Sequence, residues 1–495
     1  MPNQHAPYER FLCCLCNEKL VPIQRSASEK GANVFIFTSE SFFSFEAHFS
    51  GVNSVLFWSD IIQVHWVNLS ALCSSGVITG EFVEKLENSF RYSSMLLPFK
   101  LPPIELLSRL DCESRIFHGH PFHPLNKLRV FPPDKYITNS QILSHSPELG
   151  KKVNVAVVEM EGCEYFGPFH QCLEELGVEE AGKRSLLLVH PLQLAAEGEA
   201  VAVCSLPALP LCNWRTMALG PFDVKLSLEL WTTSSKRMLS RYAVHNGPLL
   251  SKWFEECVNL EEFCGGSTFE FCLEVAGAYA REGFSCLLRK FPVTKASEVH
   301  HYIPIAFFFE PLDRQKGFLL EHFWDEQCLE AFVQCFVGGT IAAFVEFGVA
   351  LEAHGQNILV LWNSPKRKVE GIGYRDFGGI KIEPLLAQEL KLLPNSPIVA
   401  LNEREMICAF SHGFFSLVIC LQKCYSAKWP FTKQVMKREI KSALAKVNLT
   451  NSRALALQEL LSADQKEIPM KSLLRMACED TERLLWCTVS NPLSE

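Results

Sequence analysis

The feature that most constrains the fold of this chain is one long apolar tract, "CFVGGTIAAFVEFGVALEAHGQNILVLW", at residues 335–362. An apolar run of this length must be buried, either in a protein core or in a membrane. Glu346, Glu352 and His354 interrupt the tract, and charged groups are costly inside a membrane-spanning helix. The tract therefore predicts a buried helix that leads into a buried strand.

The segments on either side of this tract indicate a mixture of strands and helices. "IIQVHWV" and "VNVAVVEM" have the short apolar runs of strands, whereas "GVITGEFVEKLENSFRYSSML" and "TKQVMKREIKSALAKV" have helical spacing. The alternating segment "DVKLSLELWTTS" predicts one half-buried strand on which Lys225, Ser227 and Glu229 share a face. We therefore expect an α+β protein with a mixed or antiparallel sheet in its middle and a mostly helical C-terminal third.

Charge and cysteine content narrow the classes of function. A net charge of −8 argues against general binding to nucleic acid or to an anionic membrane. The twenty cysteines are scattered, and a chain of 495 residues does not need disulfides to build a core. The start of the chain lacks the pattern of a secretory signal. We therefore expect free thiols and a cytoplasmic protein without nucleic-acid or membrane partners.

The segment "HGHPFHPLNKLR", residues 118–129, concentrates His118, His120, His123, Lys127 and Arg129. Three histidines suggest a transition-metal site, because imidazole is a common metal ligand. The lysine and the arginine argue against a bound cation, and arginine suits carboxylate or phosphate oxygens. The segment is therefore interpreted first as an anion-binding loop.

Two glycine-containing segments imitate nucleotide-binding motifs. "GVEEAGKRS" has the spacing of a phosphate loop, but its predicted order is helix, loop, strand, whereas a phosphate loop runs from a strand into a helix. "GIGYRDFGG" lacks the glycine spacing of a dinucleotide-binding turn. It is interpreted as a strand that runs into a tight turn.

Two polar segments follow the apolar tract and its strand. "LEAHGQN" provides Glu352 and Asn357, and "YRDFGG" provides Asp376 about twenty residues later. Carboxylate and carboxamide oxygens from neighbouring loops are the hard ligands that Mg²⁺ bound to a nucleotide requires. These segments therefore predict a magnesium site.

Several motifs in this order resemble one known family. They are "GHPFHPLNKLR", "VHPLQ", "WRT", "KLSLELWTTSSKR", "HNGP", "LLRKFP", "EAHGQN", "YRDFGG" and "PMKSLLRM", and they cover residues 115 to 480 approximately. The chain thus resembles the siderophore synthetases that act independently of nonribosomal peptide synthetases, of the aerobactin-synthetase IucA/IucC type.

This resemblance implies a thumb, fingers and palm arrangement with ATP between fingers and palm. The implied domains are a thumb-like domain at 1–145 that includes the histidine-rich loop, fingers at 146–325 and a helical palm at 326–495. The implied enzyme is a ligase that uses ATP and Mg²⁺ to activate a carboxylate of citrate or a related acid as an acyl-adenylate. An amine or alcohol then attacks, and a homodimer is expected.

The resemblance also implies roles for individual residues. The catalytic residues are His120, Lys225, Arg237 and His354. The nucleotide is bound by His120, Lys127, Arg215, Thr216, Lys225, Gln356 and Asn357. The carboxylic acid is bound by Thr233, Ser234, Arg237 and His354, and the metal by Glu352, Asn357 and Asp376.

Two alternatives remain open at this stage. Asn213 stands where the family commonly has a serine, and Phe131 stands where it commonly has a glycine, so the chain is alternatively a catalytically impaired relative that serves as a binding or scaffolding subunit. The other alternative is a metal hydrolase built on His118, His120 and His123. No acidic partner for these histidines is visible in the sequence.

Overall fold

The structure is a computed structural model that describes residues 6–27, 33–38, 42–48, 55–56, 58–95, 108–120, 122–198, 201–233, 235–291, 300–313, 317–448, 450–462, 464–479 and 484–494. Within these ranges the chain has the predicted α+β architecture, with antiparallel and mixed sheets and a helix-rich C-terminal third. All of its cysteines are free, as predicted.

The helices and strands follow one another along the chain in three parts. The first part contains α1 (Ala6–Asn17), β1 (Gln24–Ala27), β2 (Asn33–Phe37), β3 (Phe43–His48), β4 (Ile61–Val67), α2 (Leu69–Ser74), α3 (Gly80–Met95), α4 (Arg109–Ser114) and α5 (Asn139–Ser144). The middle contains β5 (Val153–Glu159), β6 (Glu164–Phe166), α6 (Phe169–Glu175), β7 (Leu186–Val189), α7 (Pro191–Glu197), β8 (Ala202–Pro210), β9 (Thr216–Leu219), β10 (Phe222–Leu226), β11 (Leu228–Thr232), β12 (Ser235–Arg237), α8 (Arg241–Cys257), β13 (Thr268–Phe271), β14 (Leu273–Arg281), β15 (Phe284–Lys290), β16 (His300–Pro304), α9 (Ile305–Phe308), β17 (Pro311–Asp313), β18 (Gly317–Phe318) and α10 (Leu319–Phe323). The last part contains α11 (Glu326–Val345), β19 (Val349–Ala350), β20 (Ile358–Asn363), β21 (Lys368–Tyr374), β22 (Lys381–Ile382), α12 (Pro384–Glu389), α13 (Glu403–Cys424), α14 (Trp429–Lys446), α15 (Ser452–Leu460), β23 (Glu467–Lys471), α16 (Leu473–Glu479) and β24 (Trp486–Ser490).

Three larger sheets organise the described strands. An antiparallel sheet of order β1-β2-β3-β4 lies in the first part, and an antiparallel sheet of eight strands, β6-β14-β15-β10-β9-β8-β5-β7, forms the middle. The third sheet, β13-β21-β20-β16, is mixed, because β13 and β21 are parallel. Two-residue to five-residue strands form additional pairs, among them β11 with β12 and β23 with β24.

The apolar tract forms a buried helix followed by a buried strand, as predicted. Asp325 caps α11 by accepting a hydrogen bond from the Cys328 amide, and fifteen of the twenty residues of α11 are buried. At Gly339 an added Cβ would lie 2.2 Å from the Phe269 ring, so only glycine lets the helix approach β13 so closely. α11 and α13 are long and apolar enough to cross a membrane, but 83% and 78% of their apolar windows are buried within the protein.

The segment "DVKLSLELWTTS" departs from its prediction. Instead of one half-buried strand it forms β10, which is buried at every position, and β11, which belongs to a different sheet. The break occurs at Ser227, whose hydroxyl bonds to the Ser285 hydroxyl and to the Leu239 amide. Lys225, Ser227 and Glu229 therefore do not share one face, because strand periodicity holds only within a continuous strand.

The predicted division at residues 145 and 325 stays a prediction. The largest apolar core combines buried residues of α1, α3 and the first sheet with those of α11, α13 and α14. The second core lies under the eight-stranded sheet, between residues 153 and 288. The strands of the third sheet come from both sides of residue 325.

Candidate active site

A cavity of about 310 Å³ lies where loops from distant parts of the sequence meet. The loop after α4 contributes three histidines, the β11–β12 turn contributes Thr233 and Arg237, and the loop between β19 and β20 contributes Glu352, His354 and Gln356. Helix α13 adds His412 and strand β23 adds Lys471. Separate sequence motifs are thus brought together around one space.

The charged side chains that line this cavity are mostly cationic. Four cations stand against two carboxylates, and the set consists of Arg10, Arg129, Arg237, Lys471, Glu310 and Glu352. Burial, together with the neighbouring Arg215 and Arg129 guanidinium groups, lowers the pKa of Arg237 to about 9. Buried cations that disfavour one another's charge define a site for an anion.

Four of the five histidines that line the cavity are buried and neutral. Burial holds the pKa values of His120, His354 and His412 below their usual range, and it lowers the pKa of His123 to about 3. The rings of His120 and His354 are 6.0 Å apart between centroids, and those of His120 and His123 are 6.1 Å apart.

Hydrogen bonds from the backbone define the tautomer of these four rings. Nδ1 of His120 accepts from the Phe122 amide at 3.3 Å, and Nδ1 of His123 accepts from the Leu125 amide at 3.0 Å. The Nδ1 atoms of His354 and His412 likewise accept backbone amides. In a neutral ring the proton then lies on Nε2, so these histidines are hydrogen-bond donors that suit anionic oxygens.

His118 has a different partner from the other histidines. Its Nδ1 lies 2.6 Å from Oε2 of Glu310, and its backbone amide donates to Oε1 of the same carboxylate at 2.9 Å. Arg10, which is 1% exposed, donates to the His118 carbonyl oxygen. The sequence-based expectation that these histidines lack an acidic partner is therefore wrong, because Glu310 comes from 192 residues away along the chain.

The two carboxylates of the predicted metal site lie beside one glycine turn. An added Cβ at Gly379 would come within 2.0 Å of Oε2 of Glu352, and one at Gly378 would lie 3.4 Å from Oδ1 of Asp376. Asp376 has a positive φ of 77° and accepts the Gly378 amide. The absence of side chains at this turn lets the two carboxylates approach its backbone, and both are hard oxygen groups of the kind that Mg²⁺ takes.

Both carboxylates are ionised and paired with lysines. Burial opposes ionisation of Glu352, but Lys471, at 2.6 Å, and His354 outweigh it and hold the carboxyl pKa below its usual value. Burial likewise opposes ionisation of Asp376, but Lys225, at 2.6 Å, together with Arg289 and Arg215 holds its pKa far below the ordinary range.

Arg215 and Lys225 lie beside the cavity rather than in its lining. Lys225 is 3% exposed and donates to Asp376, and Arg215 donates to the Met238 carbonyl oxygen at 2.7 Å. Burial lowers the pKa values of both cations. They are linked to the cavity through Asp376 and through the repulsion between Arg215 and Arg237.

Most of the residues predicted to bind the acid line the cavity, namely Thr233, Arg237 and His354. Arg237 donates to the hydroxyls of Thr232 and Thr233, the latter at 2.8 Å, and Ser234 lies outside the described residues. Gln356 lines the cavity. The Asn357 amide nitrogen donates to the Glu352 carbonyl oxygen at 3.1 Å.

Two predicted nucleotide-binding residues are directed elsewhere. Lys127 is 4% exposed and its ammonium donates to Glu148 at 2.6 Å, outside the cavity lining. Thr216 is buried on β9, opposite Lys225, and its amide donates to Asn213 at 3.0 Å. The ammonium of Lys127 is thus occupied in a structural contact, whereas the Thr216 hydroxyl is buried on its strand without a hydrogen-bond partner.

Asn213 and Phe131, which depart from the family pattern, have packing roles. Asn213 lines the cavity and accepts the Thr216 amide. Phe131 is buried in a small apolar cluster with Trp214, Leu228 and Leu230. Neither residue introduces a negative charge into the cavity.

Sequence reasoning missed four residues of the cavity. Arg10, Glu310 and His412 lie outside the motifs that resemble the family, and only the fold brings them to the site. Lys471 belongs to the motif "PMKSLLRM", but no role was predicted for it. The pairing of this lysine with Glu352 was not visible because 119 residues separate the two along the chain.

No group of three or more histidine, cysteine, aspartate or glutamate side chains is arranged to hold a metal ion in the described ranges. His118 turns to Glu310, whereas His120 and His123 each accept a backbone amide. The geometry therefore does not support a hydrolase built on these three histidines.

Two family profiles match this chain, each over a different part of its length. The profile of the IucA / IucC family matches residues 108–309, and that of the ferric iron reductase FhuF-like transporter matches residues 326–484. Staphyloferrin A synthase of Staphylococcus aureus is 24% identical to this chain, and the alignment covers 77% of this chain and 72% of that protein.

Solved structures match nearly the whole chain. The ATP-bound aerobactin synthetase IucA from a hypervirulent pathotype of Klebsiella pneumoniae has a TM-score of 0.77 at 15% identity, and the match covers 99% of each chain. The petrobactin biosynthesis protein AsbB of Bacillus anthracis has a TM-score of 0.77 at 15% identity, and the match covers 99% of this chain and 95% of that protein. These similarities establish a common fold.

Proposed function

This chain belongs to the IucA/IucC family of siderophore synthetases, and from that premise we propose that it is an ATP-dependent ligase that joins a citrate-like acid to an amine or alcohol. ATP and the acid carboxylate form an acyl-adenylate with loss of pyrophosphate. The amine or alcohol then attacks the acyl carbon, and AMP leaves.

The observation that carries this proposal is the excess of buried cations around the cavity. Four cations face two carboxylates, and the neutral rings of His120 and His412, whose Nδ1 atoms accept backbone amides, carry Nε2–H groups at the cavity. The reaction gathers a polyphosphate and a polycarboxylate in one place, and fixed donors stabilise such charge without reorganising during the reaction. Holding both anions in this cavity also supplies the orientation that adenylation needs.

The proposal gives each group of residues a task. His120 contacts the phosphates in the cavity, and Arg215 and Lys225 stabilise their charge from beside it. Gln356 contacts the nucleotide, with Asn357 next to it along the chain. Arg237, with Thr233, recognises the acid, because a planar guanidinium can pair two carboxylate oxygens. His354 lies between the two ligands, since its ring is close to both His120 and Glu352.

Asp376 and Glu352, which offer hard oxygen groups beside the turn at Gly378 and Gly379, would hold Mg²⁺ with Asn357 nearby. When bound, Mg²⁺ neutralises phosphate charge. Lys225 and Lys471 keep both carboxylates ionised. We expect activity that a chelator stops and added Mg²⁺ restores, and Asp376→Asn should weaken the dependence on Mg²⁺ while the protein stays folded.

The test is pyrophosphate release on addition of ATP and Mg²⁺, screened over citrate and related polycarboxylic acids. We expect release that depends on one of these acids. The matched control is Lys183→Ala, because Lys183 forms only an exposed pair with Glu180. A folded protein that releases no pyrophosphate with any acid would instead support the impaired relative that Asn213 and Phe131 suggested.

A further inference from the structure

His118 and Glu310 line the cavity but have no task in binding ATP or the acid. The Glu310 carboxylate contacts His118 at two places. Oε2 lies 2.6 Å from Nδ1, and Oε1 accepts the backbone amide at 2.9 Å. The Glu310 side chain is 8% exposed and that of His118 is 20% exposed, so the imidazole is the more accessible member.

The tautomer of His118 is opposite to that of the other cavity histidines. The Glu310 carboxylate accepts the His118 backbone amide at 2.9 Å and lies 2.6 Å from Nδ1, so in the neutral ring Nδ1 donates to it and Nε2 carries the lone pair. In His120, His123, His354 and His412 a backbone amide donates to Nδ1, and the proton lies on Nε2. Four rings are therefore donors for anions, and His118 has the form of a base.

We propose that His118 is the general base for the nucleophile that attacks the acyl-adenylate, and that Glu310 is the positioning residue that keeps its imidazole in the required tautomer. This inference rests on the proposed function. A carboxylate that orients an imidazole in this way is a recurrent arrangement for general-base catalysis.

The step conserves atoms and charge. The nucleophile nitrogen forms a bond to the acyl carbon, the bond between that carbon and the phosphate oxygen breaks, and AMP leaves with the electron pair. An ammonium nucleophile loses two protons: the first moves to Nε2 of His118 and then to solvent before the attack, and the second follows the same route as the bond to the acyl carbon forms. Glu310 stays ionised and stabilises the imidazolium that forms.

The experiment compares two nucleophiles with citrate, ATP and Mg²⁺. Hydroxylamine is uncharged at neutral pH and traps an acyl-adenylate as the hydroxamate without needing a strong base. The second set consists of the primary amines D-ornithine, 1,3-diaminopropane and ethanolamine, which are ammonium ions at neutral pH. The variants are His118→Asn and Glu310→Gln, and the control is His322→Asn on the exposed surface.

We expect hydroxamate formation by both variants to stay within about threefold of wild type. Amide formation should fall about 10²-fold or more in His118→Asn, as for loss of a general base, and less in Glu310→Gln. If His118→Asn does not fold, His118→Gln and Glu310→Gln carry the comparison.

Equal losses with hydroxylamine and with the amines would overturn the assignment, because a structural role would affect both. A wild-type protein that makes hydroxamate but no amide with any of these amines would also overturn it. A wild-type protein that makes no hydroxamate with any acid would instead refute the proposed function.

Discussion

This protein has two buried lysine–carboxylate pairs with the same distance between the paired atoms. The two pairs differ in their surroundings. Lys127–Glu148 and Lys225–Asp376 both join their atoms at 2.6 Å. Both side chains of the first pair are 5% exposed, whereas Asp376 in the second pair is 24% exposed. The first pair is sealed, whereas the carboxylate of the second remains partly exposed.

The surroundings of the two acids explain this difference. Glu148 also accepts the Ser146 hydroxyl, which completes a closed structural contact. Asp376 lies on a turn with positive φ, a conformation that costs energy for a non-glycine residue and is concentrated at functional sites. Of the two buried lysines, only Lys225 therefore has a partner that is both strained and partly accessible.

The largest expected effect concerns Lys127. Lys127→Ala leaves the Glu148 carboxylate buried without its lysine, which should reduce the free energy of unfolding by about 3–5 kcal/mol. Urea unfolding measures this loss, and Lys183→Ala, at an exposed pair, should change stability by less than about 0.5 kcal/mol. A Lys127→Ala protein of normal stability that binds ATP poorly would reverse the comparison.

A second prediction uses pH to isolate the same pair. Burial opposes ionisation of Glu148, but Lys127 and Arg129 outweigh it and lower its pKa from 4.5 to about 2. A carboxyl group whose pKa is lower in the folded protein adds to the free energy of unfolding. The full contribution, in this case about 3 kcal/mol, is present above the pKa of the unfolded chain and is lost as the pH falls towards the pKa of the folded protein. The difference in unfolding free energy between wild type and Glu148→Gln should therefore be constant from pH 7 to 5 and shrink below about pH 4.5. A difference that is as large at pH 3 as at pH 7 would contradict this account.

The third prediction concerns Lys225. Lys225→Ala should cost at least about 2 kcal/mol of transition-state stabilisation, or about 30-fold in kcat/KM. Its cost in stability should be smaller than that of Lys127→Ala, because Arg289 and Arg215 still compensate Asp376. Unfolding and steady-state kinetics on the same preparation separate the two effects. A loss of stability without a loss of activity would make this pair structural as well.

The smallest expected effect concerns Arg237 and is a change in specificity. Lysine cannot reproduce the two-pronged pairing of a guanidinium with a carboxylate. Arg237→Lys should raise the KM for the acid about tenfold, which corresponds to one charged hydrogen bond, and should change the KM for ATP much less. Equal increases in the two KM values would place Arg237 at the nucleotide.

Sequence reasoning predicted more of the fold than of the site. The strands and helices with clear periodicity formed as expected, among them α3, α11 and β5, because local apolar spacing determines which face is buried. The misleading phosphate-loop segment has its predicted order, with α6 before and β7 after it, and Lys183 turns to Glu180.

The sequence-based predictions were wrong where contacts between residues far apart in the sequence determine the structure. The strand break at Ser227 depends on Ser285, and the burial of Lys127 depends on Glu148. The base-like tautomer of His118 depends on Glu310, which no local pattern connects to it. Motif matching identified which segments converge, but not which side chains already have structural partners.

The measurement that most directly tests the central claim is the exchange of radiolabelled pyrophosphate into ATP, with Mg²⁺ and acid but without nucleophile. We predict exchange that requires a polycarboxylic acid, that Lys225→Ala reduces about 30-fold, and that Lys127→Ala, assayed at a temperature where it is folded, leaves within about threefold of wild type. Exchange that is absent with every acid, that does not require an acid, or that both lysine variants reduce equally would contradict the account.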